Sequence, residues 1–235
     1  VDWVFVCTKT YDAGGAAAWF PPLVRAHTRV AVLQNGVEHR ERFSGYLPAD
    51  QLLPVMVDIP SERIALGLVR QRGSGRMAVP DGPSGRDFAS LLADTPLAVS
   101  VVSDFPSAVW RKLCVNCMGI LNALLLQPAR IFHQEPVAAV ARLIVEECAA
   151  VGRAEGACIE KDIADTVIQN YRKAPPDSVN SIHADRLAGR PMEIDARNGV
   201  IVRLGRKHAI PTPCNQMAVA LLEALTSSAS ESPRC

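Results

Sequence analysis

The stretch FPSAVWRKLCVNC, residues 105–117, marks the point at which the pattern of the sequence changes. Before it, short apolar runs alternate with turn residues and short helical segments, which is typical of an α/β domain. From it onward, apolar residues recur at helical spacing almost to the end of the chain. We therefore predict an α/β plus all-α fold with two domains, residues 1–103 and residues 104–235.

Buried parallel strands are predicted in the first domain. Trp3 to Cys7 is a short apolar run that indicates a central parallel strand, and Val30 to Leu33 indicates a second one. Further strands are predicted at residues 52–58, 64–70, 77–80 and 97–102, with RGSGR at residues 72–76 as a hairpin turn. Helices are predicted at residues 11–20, stopped by Pro21 and Pro22, and at residues 86–92, with a helical turn in VEHRERF.

Six helices are predicted in the second domain. They cover residues 107–131, 136–156, 162–172, 178–187, 192–208 and 214–225.

Composition limits the class of protein. The chain has 235 residues, 49% hydrophobic and 21% charged, which is enough apolar material for a packed core. A net charge of +1 gives no electrostatic reason to expect nucleic acid or an anionic membrane as a partner. Seven cysteines at scattered spacings argue against a disulfide framework and favour a reducing, cytoplasmic compartment. No apolar run reaches the roughly 18 residues of a membrane-spanning helix, and no signal peptide is recognised.

Cys114 and Cys117 form a C-x-x-C spacing inside the opening stretch. Redox or zinc chemistry needs such thiols at a helix start or on a turn, and zinc needs about four ligands. Both cysteines instead lie in the middle of a predicted helix, with no second C-x-x-C and no nearby pair of histidines. We therefore expect buried core residues and no metal site.

Lys112 and Asn116 are four residues apart and share one face of the same predicted helix, with Cβ atoms about 6 Å apart. Apolar neighbours indicate that this helix is largely buried. Burial lowers the pKa of a lysine, which suits a proton donor that works near neutral pH. A lysine that extends along the helix edge into solvent gives the same pattern, so both interpretations stay open.

Two polar clusters follow in the second domain. Glu193 and Asp195 lie near a predicted helix start, where carboxylates interact favourably with the helix dipole. Glu193 and Arg197 share one stripe of that helix, and Asp195 points elsewhere. In SVNSIHAD, Asn180 and Ser181 either cap a helix or bind a ligand.

Lys9 and Asn35 follow the carboxyl ends of the first two predicted strands, the edge at which open α/β sheets bind ligands. Asn35-Gly36 is also an ordinary turn dipeptide, so turn formation is the alternative explanation. The chain contains no G-x-G-x-x-G sequence, the fingerprint of dinucleotide binding.

Four segments together resemble the ketopantoate reductase (2-dehydropantoate 2-reductase) family: DWVFVCTKTYD, VAVLQNGVEHRERF, AVWRKLCVN and SVNSIHADRLAGRPMEIDARNGVIVRLGRKHAIPTP. Their order and approximate spacing are those of the family, and they span nearly the whole chain. The most specific part is WRKLxVN, followed about 80 residues later by EIDxxNG and a segment similar to GIPTP.

This resemblance implies the C-terminal part of a Rossmann-type NADP-binding domain, followed by a helical domain similar to the C-terminal domain of 6-phosphogluconate dehydrogenase. It places the active site in the cleft between the two domains. The implied reaction is reduction of 2-dehydropantoate to (R)-pantoate with NADPH, a step towards pantothenate and coenzyme A. The implied partner is a small 2-keto acid, and a homodimer is the candidate assembly.

The resemblance also implies roles for individual residues. Lys112 matches the general acid of the family, and Glu193 matches the glutamate that hydrogen-bonds the substrate and helps to place that lysine. The matched binding positions are Asn116, Ser181 and Asn35 for the substrate, and Lys9 and Asn35 for the cofactor.

Two features depart from the family pattern and keep alternatives open. The family often carries a second asparagine two helical turns after the lysine, where this chain has Ile120; Asn122 lies two residues later and would face elsewhere on a continuous helix. This favours a related NAD(P)-dependent reductase of another 2-keto or 3-hydroxy acid. The chain begins with Val1 inside a predicted strand, so we expect the glycine-rich segment upstream of it. A truncated, non-catalytic helical module for binding or dimerisation is the third alternative.

Overall fold

The computed structural model describes residues 1–230, with side chains through residue 226. Contacts divide the chain into two compact units, Val1–Ala108 and a second that begins at Val109. The domain boundary expected between residues 103 and 104 stays a prediction, because this division falls a few residues later, within a helix.

A parallel sheet forms the framework of the first unit. Its strands, in spatial order, are β1 (Trp3–Val6), β2 (Arg29–Val32) and β3 (Leu52–Pro54). Val4 pairs with Val30, and the same Val30 pairs with Leu52. The predicted parallel strands are confirmed. Within the described residues β1 pairs with β2 alone, and its central position stays a prediction.

Short helical segments follow β1. A 3-10 helix at Thr10–Asp12 leads into α1 (Ala13–Ala17) and then α2 (Phe20–Leu23). The single helix predicted at residues 11–20 is therefore wrong, since Pro21 and Pro22 lie in the first turn of α2 and do not stop a helix. Proline is tolerated in a first turn because the N–H groups there make no intrahelical bond.

Alternate residues of the parallel sheet enter two apolar cores, one on each face. On one face, the rings of Phe20 and Phe43 lie 5.7 Å apart, centroid to centroid. Phe43 ends the 3-10 helix Glu41–Phe43, which confirms the turn predicted in VEHRERF. This core also contains Val6, Ala16, Val30, Val32 and Leu52, and the other contains Ala31, Leu53, Val55, Met77, Val79 and Phe88.

A second sheet completes the first unit. It contains β4 (Met56–Asp58), β7 (Arg76–Pro80) and β8 (Ala98–Val102), in the order β4-β7-β8. The β7–β8 pair is parallel, and α3 (Pro83–Leu91) connects the two strands. The single strand predicted at residues 52–58 is wrong, because its two halves belong to different sheets.

A separate hairpin lies between β4 and β7 in sequence. It consists of β5 (Ser61–Ala65) and β6 (Leu68–Gln71). Its turn contains Gly67 with φ +73°, a conformation that glycine adopts without steric cost. The strand predicted at residues 64–70 is therefore interrupted, and the hairpin turn predicted at RGSGR is wrong: that segment connects β6 to a strand of another sheet.

The second unit is helical and begins within α4. Its helices are α4 (Phe105–Cys117), α5 (Ile120–Leu125), α6 (Glu135–Ala154), α7 (Ile163–Lys173), α8 (Ser181–Leu187), α9 (Val200–Lys207) and α10 (Pro213–Ser230). A 3-10 helix at Ala129–His133 and a π-helix at Asp195–Gly199 complete this part of the chain.

Two of the six helices predicted in this unit differ in the structure. The helix predicted at residues 107–131 divides at Met118-Gly119, and α5 ends at Leu126, whose φ of 52° is left-handed. The helix predicted at residues 192–208 is a π-helix followed by α9. The other four predicted helices are confirmed, with ends shifted by a few residues.

The segment Phe105–Leu125 is long and apolar enough to cross a membrane by length and composition. The sequence prediction that no segment reaches this length overlooked it, because Arg111 and Lys112 interrupt the apolar run without making its average polar. Within its most apolar window, 61% is buried inside the protein, as expected for a core helix.

Candidate functional site

The face of α4 that carries Lys112 and Asn116 is confirmed as helical. Asp104 caps the start of α4, since its carboxylate accepts from the Ser107 N–H at 3.1 Å and from the Ser107 hydroxyl at 2.5 Å. Lys112 and Asn116 are both half-buried, while Leu113, which follows Lys112 in the chain, is 1% exposed. The helix therefore presents one polar strip beside an apolar core.

The two cysteines of the C-x-x-C spacing are fully buried, as predicted. The Cys114 Sγ lies 3.7 Å from the Cys148 Sγ of α6, and the Cys117 thiol donates to the Cys114 carbonyl. Burial raises the pKa of the Cys148 thiol well above its ordinary value, which keeps it protonated. Among the described residues, no three His, Cys, Asp or Glu side chains are grouped as a metal site requires.

The end of α4 corrects the expected helical register. Gly119 allows a close approach: a Cβ at this position would lie 2.8 Å from Asn180 Nδ2 and 3.2 Å from Arg197 Nη2. Because the helix is interrupted here, Ile120 and Asn122 lie in the next helix, α5, and not in α4. Ile120 is fully buried, and Asn122 is buried against Asn180, whose amide donates to its Oδ1 at 2.8 Å.

The start of α8 confirms the capping expected in SVNSIHAD. The Asn180 side chain accepts from the His183 N–H at 3.1 Å, which satisfies one free donor of the first turn. Ser181 is the first residue of α8 and is exposed. Its hydroxyl accepts a hydrogen bond from Arg197 Nη1 at 3.2 Å.

Glu193 and Asp195, in the segment before α9, point in different directions, as predicted. Glu193 is 4% exposed, whereas the side chain of Asp195 is 76% exposed and pairs with Arg203 at 2.7 Å. The π-helix that follows puts an extra residue into one turn, a distortion found frequently at functional sites.

Arg197 is the residue whose part in this arrangement the sequence did not indicate. It is 2% exposed, and its Nη2 donates to the main-chain carbonyl of Asn116 at 2.6 Å. Burial lowers the pKa of its guanidinium, while the nearby Tyr171 hydroxyl and Glu193 carboxylate act in the opposite direction. One buried cation thus lies close to Asn116, Ser181 and Glu193. The only signal available in the sequence was its position on the stripe of Glu193.

Lys9 and Asn35 lie in the first unit, after the carboxyl ends of β1 and β2. Both are half-buried. The buried Gln34 donates to the Thr8 carbonyl at 3.1 Å and accepts from Arg42 at 3.0 Å. Gly36 has φ +91° and residues 35–37 form a bend, whereas the turn expected at Asn35-Gly36 stays a prediction. Sequence analysis overlooked Gln34, which ties the ends of the two strands together.

Lys9 and Asn35 follow the carboxyl ends of parallel strands, the edge at which open α/β sheets bind ligands such as dinucleotides. No G-x-G-x-x-G turn occurs in the sequence, so no contact with the phosphates is derived from this chain.

Two family models match the chain. "Ketopantoate reductase PanE/ApbA" matches residues 1–84, and "Ketopantoate reductase PanE/ApbA C terminal" matches residues 104–226. Together they cover both units.

Named relatives agree with these models. The 2-dehydropantoate 2-reductase of Caulobacter vibrioides is 56% identical over 224 residues, which are 95% of this chain and 77% of the relative. That of Mycobacterium tuberculosis is 41% identical over 224 residues, 95% of this chain and 76% of the relative. The crystal structure of a PanE/ApbA family ketopantoate reductase from Ralstonia eutropha has a TM-score of 0.89 and 31% identity, and covers 98% of this chain and 78% of that one. The Rossmann-type plus helical fold is thereby confirmed, and the chain belongs to the ketopantoate reductase family, a family of oxidoreductases.

Proposed function

We propose that this protein reduces 2-dehydropantoate to (R)-pantoate with NADPH, in the biosynthesis of pantothenate and coenzyme A. The observation that carries the proposal is the cluster around Arg197. A single guanidinium bonds Asn116 and Ser181 and lies near Glu193, and Asn116 shares a helix face with Lys112. These are the four positions of the helical unit that the family resemblance singles out for the chemistry.

The reaction needs a hydride at the keto carbon and a proton at the carbonyl oxygen. NADPH, when bound, supplies the hydride. The oxygen then develops the charge of an alkoxide, which a nearby cation stabilises and a general acid neutralises. Lys112 can do both, because its ammonium group carries a charge and a transferable proton. The half-buried position of Lys112 on α4 leaves its side chain able to reach a bound ligand.

The remaining residues of the proposed site bind and orient the substrate. Glu193 is a buried carboxylate. In this proposal Glu193 forms a hydrogen bond with the substrate and also helps to place Lys112. Asn116 and Ser181 are assigned to polar groups of the keto acid, and Lys9 and Asn35 to the cofactor side, with Asn35 also near the substrate. Assembly into a homodimer stays a prediction. The division into two domains, residues 1–103 and 104–235, also stays a prediction.

The test is turnover of 2-dehydropantoate by the full-length protein, followed by the loss of NADPH absorbance, with NADH in parallel. Lys112→Ala is expected to lower kcat about 100-fold or more, the usual scale for general acid catalysis. The matched control is Lys161→Ala, since Lys161 is an exposed lysine of the same unit. Wild-type kcat in Lys112→Ala would show that the assigned role is wrong.

A second candidate function is reduction of another 2-keto acid, or oxidation of a 3-hydroxy acid. It is favoured by Ile120, which is fully buried at a position where the family often has an asparagine. A panel of 2-keto and 3-hydroxy acids decides between the candidates. A kcat/KM for 2-dehydropantoate no higher than for the other acids would favour this second function.

A further inference from the structure

Arg197 is a buried cation whose hydrogen bonds join two distant parts of the helical unit. It is 2% exposed and lies in the π-helix Asp195–Gly199. One terminal nitrogen donates to the main-chain carbonyl of Asn116, 81 residues earlier, and the other donates to the hydroxyl of Ser181. Its Nε has no hydrogen-bond partner within the described part of the chain. Burying a charge is costly unless it is paired and hydrogen-bonded, and Arg197 has both these hydrogen bonds and the Glu193 carboxylate nearby.

The contact with Asn116 helps to hold the end of α4. The last carbonyls of a helix have no intrahelical donor and carry partial negative charge. Arg197 supplies a charged donor to one of them at 2.6 Å. Gly119 makes room for it, because a side chain there would approach Arg197 Nη2 to 3.2 Å and Asn180 Nδ2 to 2.8 Å. The Asn116 carbonyl also accepts from the Gly119 N–H at 3.1 Å, and the Asn198 amide donates to the Cys117 carbonyl at 3.0 Å, so Arg197 is one of several donors at this end of α4.

The contact with Ser181 determines the direction in which its hydroxyl donates. A serine hydroxyl has one proton to donate and two lone pairs to accept with. Because Arg197 can only donate, the Ser181 oxygen accepts in this bond at 3.2 Å, and its own proton remains available to another acceptor. A charged donor behind the oxygen also polarises the hydroxyl and strengthens its bond to an acceptor on the other side. Ser181 is exposed, so that acceptor can be a ligand.

We infer that Arg197 is a positioning residue that holds the Ser181 hydroxyl as a donor to an anionic oxygen of the 2-keto acid. This inference rests on the proposed function, because it takes a keto acid as the ligand. It assigns to Arg197 no direct contact with the substrate. Its effect is on substrate affinity rather than on the chemical step, since the general acid is another residue.

The test is a double-mutant cycle with Arg197→Met and Ser181→Ala, read as KM and kcat for the keto acid in the full-length protein. Arg197→Met is expected to raise KM about tenfold, the scale of one charge-assisted hydrogen bond, and to change kcat less than threefold. In the Ser181→Ala background the same substitution is expected to change KM less than threefold, because the hydroxyl through which it acts is gone. Arg206→Met, which removes an exposed arginine of α9, is the control and keeps wild-type KM.

Arg197→Lys provides the second variant if Arg197→Met does not fold. A lysine keeps the charge but is a single point donor, which cannot bond both acceptors in the geometry of a guanidinium. It is expected to raise KM at least threefold, again only when Ser181 is present. Wild-type KM in Arg197→Lys, or equal effects of Arg197→Met with and without Ser181, would overturn the inference. Absence of turnover by the wild-type protein with every keto acid would instead overturn the proposed function.

Discussion

The backbone groups at the two ends of α4 find their side-chain hydrogen-bond partners in different ways. At its start, the exposed Asp104 caps the N–H of Ser107, three residues further along the chain. At its end, the carbonyl of Asn116 accepts from the nearby Gly119 N–H and also from the buried Arg197, 81 residues away. The first arrangement is local and repeats a rule that holds for helices in general. The second exists only in the folded helical unit, and it lies beside the residues proposed to bind substrate. A locally capped end gives stability alone, whereas an end held by a distant side chain also couples the helix to the site.

The largest effect is expected from crowding the far end of α4. Gly119→Val would place a Cβ 2.8 Å from Asn180 Nδ2 and 3.1 Å from the Asn116 carbonyl. Such overpacking costs about 1–3 kcal/mol of unfolding free energy, measured by urea denaturation. Gly45→Val is the control, because no atom lies within 4 Å of a Cβ at Gly45. Equal losses in both variants would contradict the close approach described for Gly119.

A smaller effect is expected at the near end. Asp104→Ala removes the cap of α4 and is expected to cost about 1 kcal/mol, measured in the same way. Asp104→Asn keeps a capping oxygen and is expected to retain most of that stability. Substrate KM should not change in either variant if this end acts locally. A KM change comparable to that of Arg197→Met would contradict the distinction between the two ends.

The smallest effect on the unfolding free energy is expected at α8. This helix is capped locally, but it also buries a histidine ring whose nitrogens make no hydrogen bond in the described chain. His183 is 2% exposed, and neither ring nitrogen finds a hydrogen-bond partner in the described chain. Burial lowers the pKa of His183, so the unfolded chain takes up this proton at a higher pH than the folded protein does. The unfolding free energy should therefore fall as the pH drops below about 6.5, the range in which the unfolded histidine becomes charged.

His183→Gln removes the titrating group and should weaken this dependence. The measurement compares urea midpoints at about pH 7 and pH 5.5, on either side of the ordinary histidine pKa. The same slope in both proteins would show that other groups cause it.

Local patterns predicted much of the fold. Apolar runs located β1 and β2 and indicated that they are parallel strands, which their pairing confirms. Helical spacing placed Lys112 and Asn116 on one face, and residue type identified Asn180 as a cap. These features depend on neighbours within a few residues, which a sequence displays directly.

The rest depended on contacts between distant residues. The helix is interrupted at Gly119, where the side chains of Asn180 and Arg197 approach the backbone closely. Neither residue is near Gly119 in the sequence. The continuous pattern of residues 107–131 therefore predicted one helix where the structure has two. The hairpin turn was placed at RGSGR because that segment has two glycines, but the pairing of β7 with β4 and β8 decided otherwise. Nothing in the sequence distinguished Arg197 from the other arginines, because its two acceptors, the Asn116 carbonyl and the Ser181 hydroxyl, come close to it only in the folded protein.

The π-helix Asp195–Gly199 makes the site sensitive to the length of the chain as well as to its composition. One surplus residue is wound into this segment, and an α-helix turns by about 100° per residue. Deleting a single codon within it would restore regular winding and rotate everything on one side of the deletion by that angle. Glu193 and Arg197 could then no longer both keep their present directions relative to α9. An in-frame deletion that leaves every named side chain in the protein would thus disassemble the site, which a scan of point substitutions would not reveal.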